Sequence, residues 1–433
     1  MKREKKSRME YVIIGNSVAC LGAIEALRSK DKDSPIKVVS DEPYPAYSRP
    51  AIAHYLAGDI SEKDMLCKGE EFYKKMNVET IFGRKAIRLD TKNKIVTLNN
   101  KGKLHYDKVL IATGGTPFIP PLKGTGKAHI LTFTTWDDAK KVKDNLDGVK
   151  KAVVIGGGLI GLCAAEALER LGVAVIIVEL ADRILSPALD EKASKILEER
   201  LKEEGIKIIT QDTVTTITGS KSSKACKAKV KSVTLKSGKK ISCDMVIIAI
   251  GVKPNMELVK GTDIKSDRGI LVDDTMQTNV KDIYAAGDVT QSYDFLYGTS
   301  RVTPIWPRAY MQGSIAGLNM AGERQRYPGS FDMNSLVFYD MPIMSAGLHT
   351  PREEGFEILT KWEPEEKLYR KLVLKDGFLK GFIIVGKIED AGVLTGLIKE
   401  KINVENFKEN LMEEDFGLAS FPKELRDKKL KES

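Results

Sequence analysis

A chain of 433 residues, 42% hydrophobic and carrying a net charge of +9, is long enough for two or three globular domains. No apolar stretch reaches the length of a membrane span, and the lysines come without the recognition helix or aromatic platform that nucleic-acid binding would need. The five cysteines, Cys20, Cys67, Cys163, Cys226 and Cys243, show no C-x-x-C or other metal-ligand spacing, so no metal is expected and a reducing cytoplasm is the simplest setting.

The first element reads as a strand over Val12, Ile13 and Ile14, ending in a glycine turn at Gly15 and continuing as a helical pattern. The basic residues 2–8 ahead of an apolar run imitate a signal peptide, but the glycine spacing, Asn16 and Glu25 argue against one. An acidic residue, Glu42, closes the next strand. About 140 residues on, Val153, Val154 and Ile155 lead into Gly156, Gly158 and Gly161, and Glu179 closes the strand that follows. Each stretch is a strand, turn and helix suited to a dinucleotide pyrophosphate. Glycine lets the backbone bend tightly and lets phosphate oxygens reach unpaired N–H groups at the helix start. The helix dipole adds only roughly 0.3 to 1 kcal/mol at exposed sites, so the hydrogen bonds must carry most of the binding. The second copy is complete, with small Ala165 where helix and strand pack. The first is degenerate, because Ser17 and Cys20 stand in place of the second and third glycines. Two such turns need two dinucleotides, and electron transfer between them is the obvious use.

The repetition goes further than the turns. Val96-Thr97-Leu98, a polar turn at Gly102, and a buried strand from Asp107 to Thr113 and Gly114 match Val233-Thr234-Leu235, Gly238, and a strand from Asp244 to Gly251. One nucleotide domain therefore reads as inserted into another, with crossings near Gly115 and Gly251. Between them, residues 221–240 hold many lysines and no acid, either a solvated hairpin or a face for an acidic protein partner. After Gly251 the chain should return to the first domain, where Ile283 to Ala286 form a short strand ending in Gly287 and Asp288. Asp288 can accept hydrogen bonds from sugar or ribitol hydroxyls, or merely cap the next turn. Trp306 and Pro307 then open a helix that stops at Gly322. Further on, the run from Tyr369 to Lys375, an Asp376-Gly377 turn and the run from Phe378 to Val385 predict a hairpin, followed by a helix over 391–401. The segment from Phe407 is charged and expected to be loosely held, a surface tail or a docking element.

Gly15-x-Ser17, Thr113-Gly114, Gly156-x-Gly158-x-x-Gly161 and Ala286-Gly287-Asp288 resemble the FAD and NAD fingerprints of the pyridine nucleotide-disulfide oxidoreductase superfamily. Within it, Glu42-Pro43-Tyr44-Pro45-Ala46-Tyr47-Ser48-Arg49-Pro50 and Trp306-Pro307 with Gln312-Gly313 are most similar to rubredoxin reductases and the FAD module of NADH-dependent nitrite reductase. The resemblance implies an α/β fold of two nested Rossmann-like domains plus a small α+β C-terminal domain. Residues 1–115 and 251–325 would bind FAD, 116–250 would bind NAD(P), and 326–433 would form the small domain. It implies that Glu42 binds the adenosine ribose of FAD, Ala86 reads its adenine through backbone groups, Asp288 holds the ribitol, and Arg49 and Pro50 lie beside the cofactor. Gly15, Ser17, Thr113, Gly114, Gly287 and Trp306 complete the FAD set; Gly156, Gly158, Gly161 and Glu179 form the NAD set.

Departures from the family matter as much. Its disulfide reductases carry a redox cysteine pair near the first helix, and its peroxidases a single cysteine; here Tyr47-Ser48-Arg49-Pro50 offers no thiol to take electrons. A lysine beside the flavin and a glutamate after the second glycine motif are matched here by His54 and Cys163, which either pack or tune the flavin. A carboxylate at Glu179 can accept from both ribose hydroxyls of NADH but would repel the 2′-phosphate of NADPH, so NADH is preferred. The resemblance implies an NADH oxidoreductase that passes electrons through FAD to an acidic iron-sulfur carrier such as rubredoxin or a ferredoxin-like subunit. An NADH oxidase or peroxidase acting on oxygen species, and an electron-entry subunit of a larger complex, remain alternatives; both a homodimer and a monomer stay open.

Overall fold

The computed structural model describes residues 8–127, 129–220, 229–351, 353–413 and 416–432. They pack as two compact units, Met1–Phe118 with Val252–Ser330, and Ile119–Gly251 with Phe331–Ser433.

The first unit is built on a five-stranded parallel sheet in the order Ile283–Ala285, Lys108–Ile111, Tyr11–Ile14, Ile36–Val39, Val78–Ile81. Its central strands are apolar on both faces, as a parallel sheet covered on both sides requires, and Val12, Ile13, Val109 and Leu110 are fully buried. On one face the helix Val18–Lys30 lies against the helix Trp306–Met320 with almost no side chain between them. A Cβ added at Gly313 would overlap the Ala19 carbonyl, and one at Gly22 the Tyr310 carbonyl. Glycine here serves close backbone approach and not flexibility. A small antiparallel sheet, Ala86–Asp90, Ile95–Leu98 and Lys103–His105, carries the expected hairpin.

The second unit repeats the plan. Its parallel sheet runs Lys207–Ile209, Ala174–Val178, Lys151–Ile155, Met245–Ile248, Ile130–Thr132, with a three-stranded antiparallel sheet beside it. Residues 221–228, including Cys226 and much of the basic stretch 221–240, lie outside the described residues. The same unit contains a five-stranded antiparallel sheet, Met333–Phe338, Met341–Gly347, Phe378–Val385, Leu368–Lys375, Glu357–Glu363, against which the helix Ala391–Glu400 packs. Asp376 and Gly377 both take positive φ, 55° and 76°, as a two-residue hairpin turn demands.

The segment after Phe407 departs from expectation. Phe407, Phe416 and Phe421 are buried and pack ring against ring, with centroids 5.5 to 6.4 Å apart. The Arg370 guanidinium, ion-paired with Asp390, donates from Nε to the Leu411 carbonyl at 2.8 Å. The charges read from the sequence lie around an aromatic anchor that fastens this stretch to its sheet. Among the described residues, no helix is long and apolar enough to cross a membrane, and no group of three or more His, Cys, Asp or Glu is placed to hold a metal.

Candidate functional site

The complete glycine turn lies in the second unit. Gly156 takes φ +105° at the end of Lys151–Ile155, where an added Cβ would overlap the Ala249 carbonyl. A Cβ at Gly161 would overlap the Gly156 carbonyl, so the first turn of the helix sits directly on the strand end. Gly158 is the N-cap of the helix Leu159–Arg170 and contributes no side-chain cap. The N–H groups of that first turn are thus left for an anion. Glu179, just past Ala174–Val178, accepts from the Gly157 amide at 2.5 Å and from the Ala181 amide at 2.7 Å. Each of its oxygens keeps a further lone pair for a hydroxyl. Arg183 lies four residues on, but its Nη1 is bound to both oxygens of Asp182, at 2.9 and 3.1 Å.

The degenerate turn in the first unit keeps the same backbone. Gly15 has φ +110°, and its Cβ would overlap the Ala112 carbonyl. Ser17 is the N-cap of Val18–Lys30 in extended geometry, and its hydroxyl makes no cap. Cys20, in the place of the third glycine, is fully buried in the core. Asn16 replaces a glycine's flexibility with two fixed bonds, donating to the Tyr44 carbonyl at 3.1 Å and accepting from the Tyr73 hydroxyl at 2.7 Å.

Strand register locates the acidic residues. Ile155 pairs with Val178, and Ile14 pairs with Val39, so Ser40 stands in the first unit where Glu179 stands in the second. Glu42 comes two residues later, its amide donating to Ser40 Oγ at 3.2 Å. Its carboxylate accepts from the Tyr47 hydroxyl and from Arg49 Nη2, each at 2.5 Å. Burial alone would lower the Arg49 pKa, but Tyr47, Glu42, Asp288 and Asp41 outweigh it and raise it instead. Burial pushes the Asp288 carboxyl above its ordinary range, against the pull of Arg49 and Arg308. Glu42, Arg49 and Asp288 therefore form one electrostatic group.

Around them, Gly287 has φ +82° and sits between the Ala19 and Ala309 side chains. Its amide donates to Gln312 Oε1 at 2.8 Å. Thr113 Oγ1 donates to the Asn255 carbonyl, and the Asn255 amide returns to the Gly114 carbonyl, both at 2.8 Å. Trp306 is exposed at the first turn of Trp306–Met320, whose N-cap, Ile305, supplies no side-chain bond. Pro50 is exposed in the short helix Arg49–Ala51, and Ala86 begins the strand Ala86–Asp90.

His54 and Cys163 belong to different units. His54 is exposed on the helix Ile52–Ala57, with Nδ1 3.1 Å from Asp59. Cys163 lies on Leu159–Arg170, where burial, helped by Glu166, pushes its thiol up to about 12. Sequence reasoning missed Arg308. It is 4% exposed and donates from Nη2 to Ser292 Oγ, which also accepts from Gln312 at 2.7 Å. Its only signal was an arginine four residues before a glutamine in a run of small and apolar residues, one helical face that had to be polar and buried.

Comparison with known proteins places these features in a family. The profile described as pyridine nucleotide-disulphide oxidoreductase matches residues 9–313, and that of the rubredoxin NAD+ reductase C-terminal domain matches 333–402. The NADH-dependent phenylglyoxylate dehydrogenase subunit epsilon of Aromatoleum evansii is 32% identical, over 91% of this chain and 92% of its own length. The nitrite reductase [NAD(P)H] of Bacillus subtilis is 30% identical over 92% of this chain, which spans only 48% of that protein. The solved NADH:rubredoxin oxidoreductase of Clostridium acetobutylicum superposes with a TM-score of 0.74 at 29% identity, covering 92% of this chain and 97% of that one.

Proposed function

This chain belongs to the pyridine nucleotide-disulphide oxidoreductase family, and from that premise we propose that it is an NADH oxidoreductase passing electrons through FAD to an iron-sulfur carrier. FAD and NADH are its cofactors. When bound, FAD supplies the conversion of a two-electron hydride from NADH into single electrons for the carrier. The observation that carries the reading is the pair of glycine turns, each with a Cβ-excluding Gly, Gly15 or Gly156, and each opening a helix without a side-chain cap.

The residues divide the work. Gly15 and Ser17 open toward the FAD pyrophosphate, Thr113 and Gly114 shape the neighbouring strand end, and Asp288 holds the ribitol beside Gly287. Glu42, Arg49 and Pro50 line the adenosine and pyrophosphate side, with Ala86 beside the adenine and Trp306 at the ring end. Gly156, Gly158 and Gly161 bind the NADH pyrophosphate, and Glu179 accepts from its ribose. This assigns FAD to 1–115 with 251–325 and NADH to 116–250, with 326–433 as the small domain.

Neither Cys20 nor Cys163, the cysteines on the two glycine-turn helices, joins the electron path. Cys20 is sealed in the core and Cys163 is a neutral thiol, so neither can act as a thiolate relay. The carrier is of the rubredoxin or ferredoxin class and, from the chain's net charge of +9, acidic. The setting is cytoplasmic, with a homodimer and a monomer both compatible. One relative being a dehydrogenase subunit favours, as second reading, an electron-entry subunit that turns over only within a complex.

Purified protein should be yellow and should bleach with NADH under anaerobic conditions. Recolouring by oxidised rubredoxin or ferredoxin, much faster than by oxygen, is the expected result. A colourless protein that neither retains FAD nor reacts with NADH would end the proposal, and fast recolouring by oxygen alone would turn it into an oxidase.

A further inference from the structure

The loop that follows Glu179 is held at both ends. At its start, the Gly157 peptide donates to Glu179 and accepts from the Leu185 amide at 2.9 Å. Leu185 takes a positive φ of 49°, a costly conformation for a branched side chain that packing must enforce. The Leu185 carbonyl accepts from Ala188 and Leu189 at 2.8 and 2.9 Å, and the Ile184 carbonyl from Ser194 Oγ at 2.8 Å. The loop ends at Asp190, N-cap of the helix Glu191–Glu203.

Asp190 is where the C-terminal sheet takes hold. One carboxylate oxygen caps the helix through the Ala193 amide at 3.0 Å. The other accepts from the Tyr369 hydroxyl at 2.8 Å and from Lys371 Nζ at 3.0 Å. Tyr369 and Lys371, two apart on Leu368–Lys375, point to the same side, and both are under 10% exposed. His349, buried after Met341–Gly347, lies beside the Pro187 backbone in the same loop. A buried lysine ammonium is expensive unless paired, so this contact is strongly specified. Hydrogen bonds, linked by the peptide bond between Leu189 and Asp190, thus run from the C-terminal sheet, through Asp190 and Leu185, to the Gly157 peptide that donates to Glu179.

We propose that the C-terminal sheet sets the affinity for NADH through Asp190, with Tyr369 and Lys371 as positioning residues. The inference rests on the reading of Gly156–Gly161 and Glu179 as the NADH site. It gives the C-terminal domain a task in coenzyme binding apart from any carrier contact.

The test uses the FAD-loaded full-length protein, with NAD+ affinity by calorimetry and anaerobic reduction by NADH followed at the flavin. Tyr369→Phe removes one hydroxyl and keeps the ion pair; Lys371→Met breaks the pair, and Lys371→Arg restores it. Both Tyr369→Phe and Lys371→Met should raise the dissociation constants for NAD+ and NADH by roughly 2- to 30-fold, while the limiting rate of flavin reduction and the FAD content hold. Lys371→Arg should recover most of the loss. Arg370→Lys, on the opposite face of the same strand, should lower thermal stability without moving the NAD+ affinity. Unchanged affinity in folded Tyr369→Phe overturns the inference alone, as does an equal shift in Arg370→Lys, which would mark general loosening. A wild-type protein that binds neither NAD+ nor NADH overturns the functional reading and this inference together.

Discussion

Glu179 and Gly157 are joined carboxylate to amide at 2.5 Å, and the second Glu179 oxygen is held by Ala181, so the acid proposed to accept from the coenzyme ribose cannot swing away. Replacing it with glutamine turns one acceptor into a donor opposed to a backbone N–H. Glu179→Gln should weaken NADH roughly tenfold and reduce the preference for NADH over NADPH by about 10- to 100-fold, the loss of one like-charge repulsion. The ratio of kcat/KM for the two coenzymes measures this. An unaltered ratio would mean that Glu179 does not select the coenzyme.

The two glycine turns should fail separately. Gly15→Ala forces a Cβ into the Ala112 carbonyl at φ +110°, and Gly156→Ala forces one into the Ala249 carbonyl at φ +105°. Each carries backbone strain of about 1–3 kcal/mol before the overlap is counted. Gly15→Ala should purify with little FAD, whereas Gly156→Ala should keep its colour and lose bleaching by NADH. Absorbance of the purified variants, then anaerobic NADH titration, distinguishes them.

Cys163 should behave as an inert thiol. Its folded pKa is raised to about 12 by burial and Glu166, so it stays protonated across the working range. The sign follows: the stability gained by keeping it neutral is complete below its ordinary value of 9.0 and declines as pH rises toward 12. Iodoacetamide at pH 8 should leave Cys163 unlabelled in the native protein, and Cys163→Ala should retain carrier reduction within about twofold and flatten the alkaline loss of stability. Rapid native labelling with loss of activity would contradict this.

The pair Arg370–Asp390 should anchor the C-terminal segment. Both side chains are under 10% exposed, and Arg370 also holds the Leu411 carbonyl. Removing one member leaves a buried charge alone, so Arg370→Ala should cost about 3 to 5 kcal/mol in urea unfolding. Proteolysis after residue 404 should accelerate in step; equal cleavage rates in the two proteins would show that the phenylalanine cluster holds this stretch without the pair.

The parallel sheets and both turns were legible because close backbone approach leaves only glycine at Gly15 and Gly156, and that restriction is written in the sequence itself. What takes the place of the missing glycines in the first copy was not legible, since Cys20 lies inside the core and Asn16 is tied by side-chain bonds that no spacing rule contains. Register was not legible. Both strands stop pairing at the same level, Val39 and Val178, so Ser40 stands level with Glu179 and Glu42 lies two residues further into the loop, an offset that no spacing in the sequence announces. The anchoring after Phe407 was hidden because three phenylalanines spread over fifteen positions show no periodicity until the chain turns back on itself. Arg308 was overlooked because a single arginine in a helix reads as a surface charge unless its partners on another strand are known.

The strand pairing of Val252 with Pro117 brings the two points where the chain leaves and re-enters the first unit side by side. A stretch whose two ends leave from adjacent positions on one ribbon can be gained or lost in a single genetic event, with no strand rethreaded. The nested plan therefore needs no strand of the first unit to be rebuilt around the second.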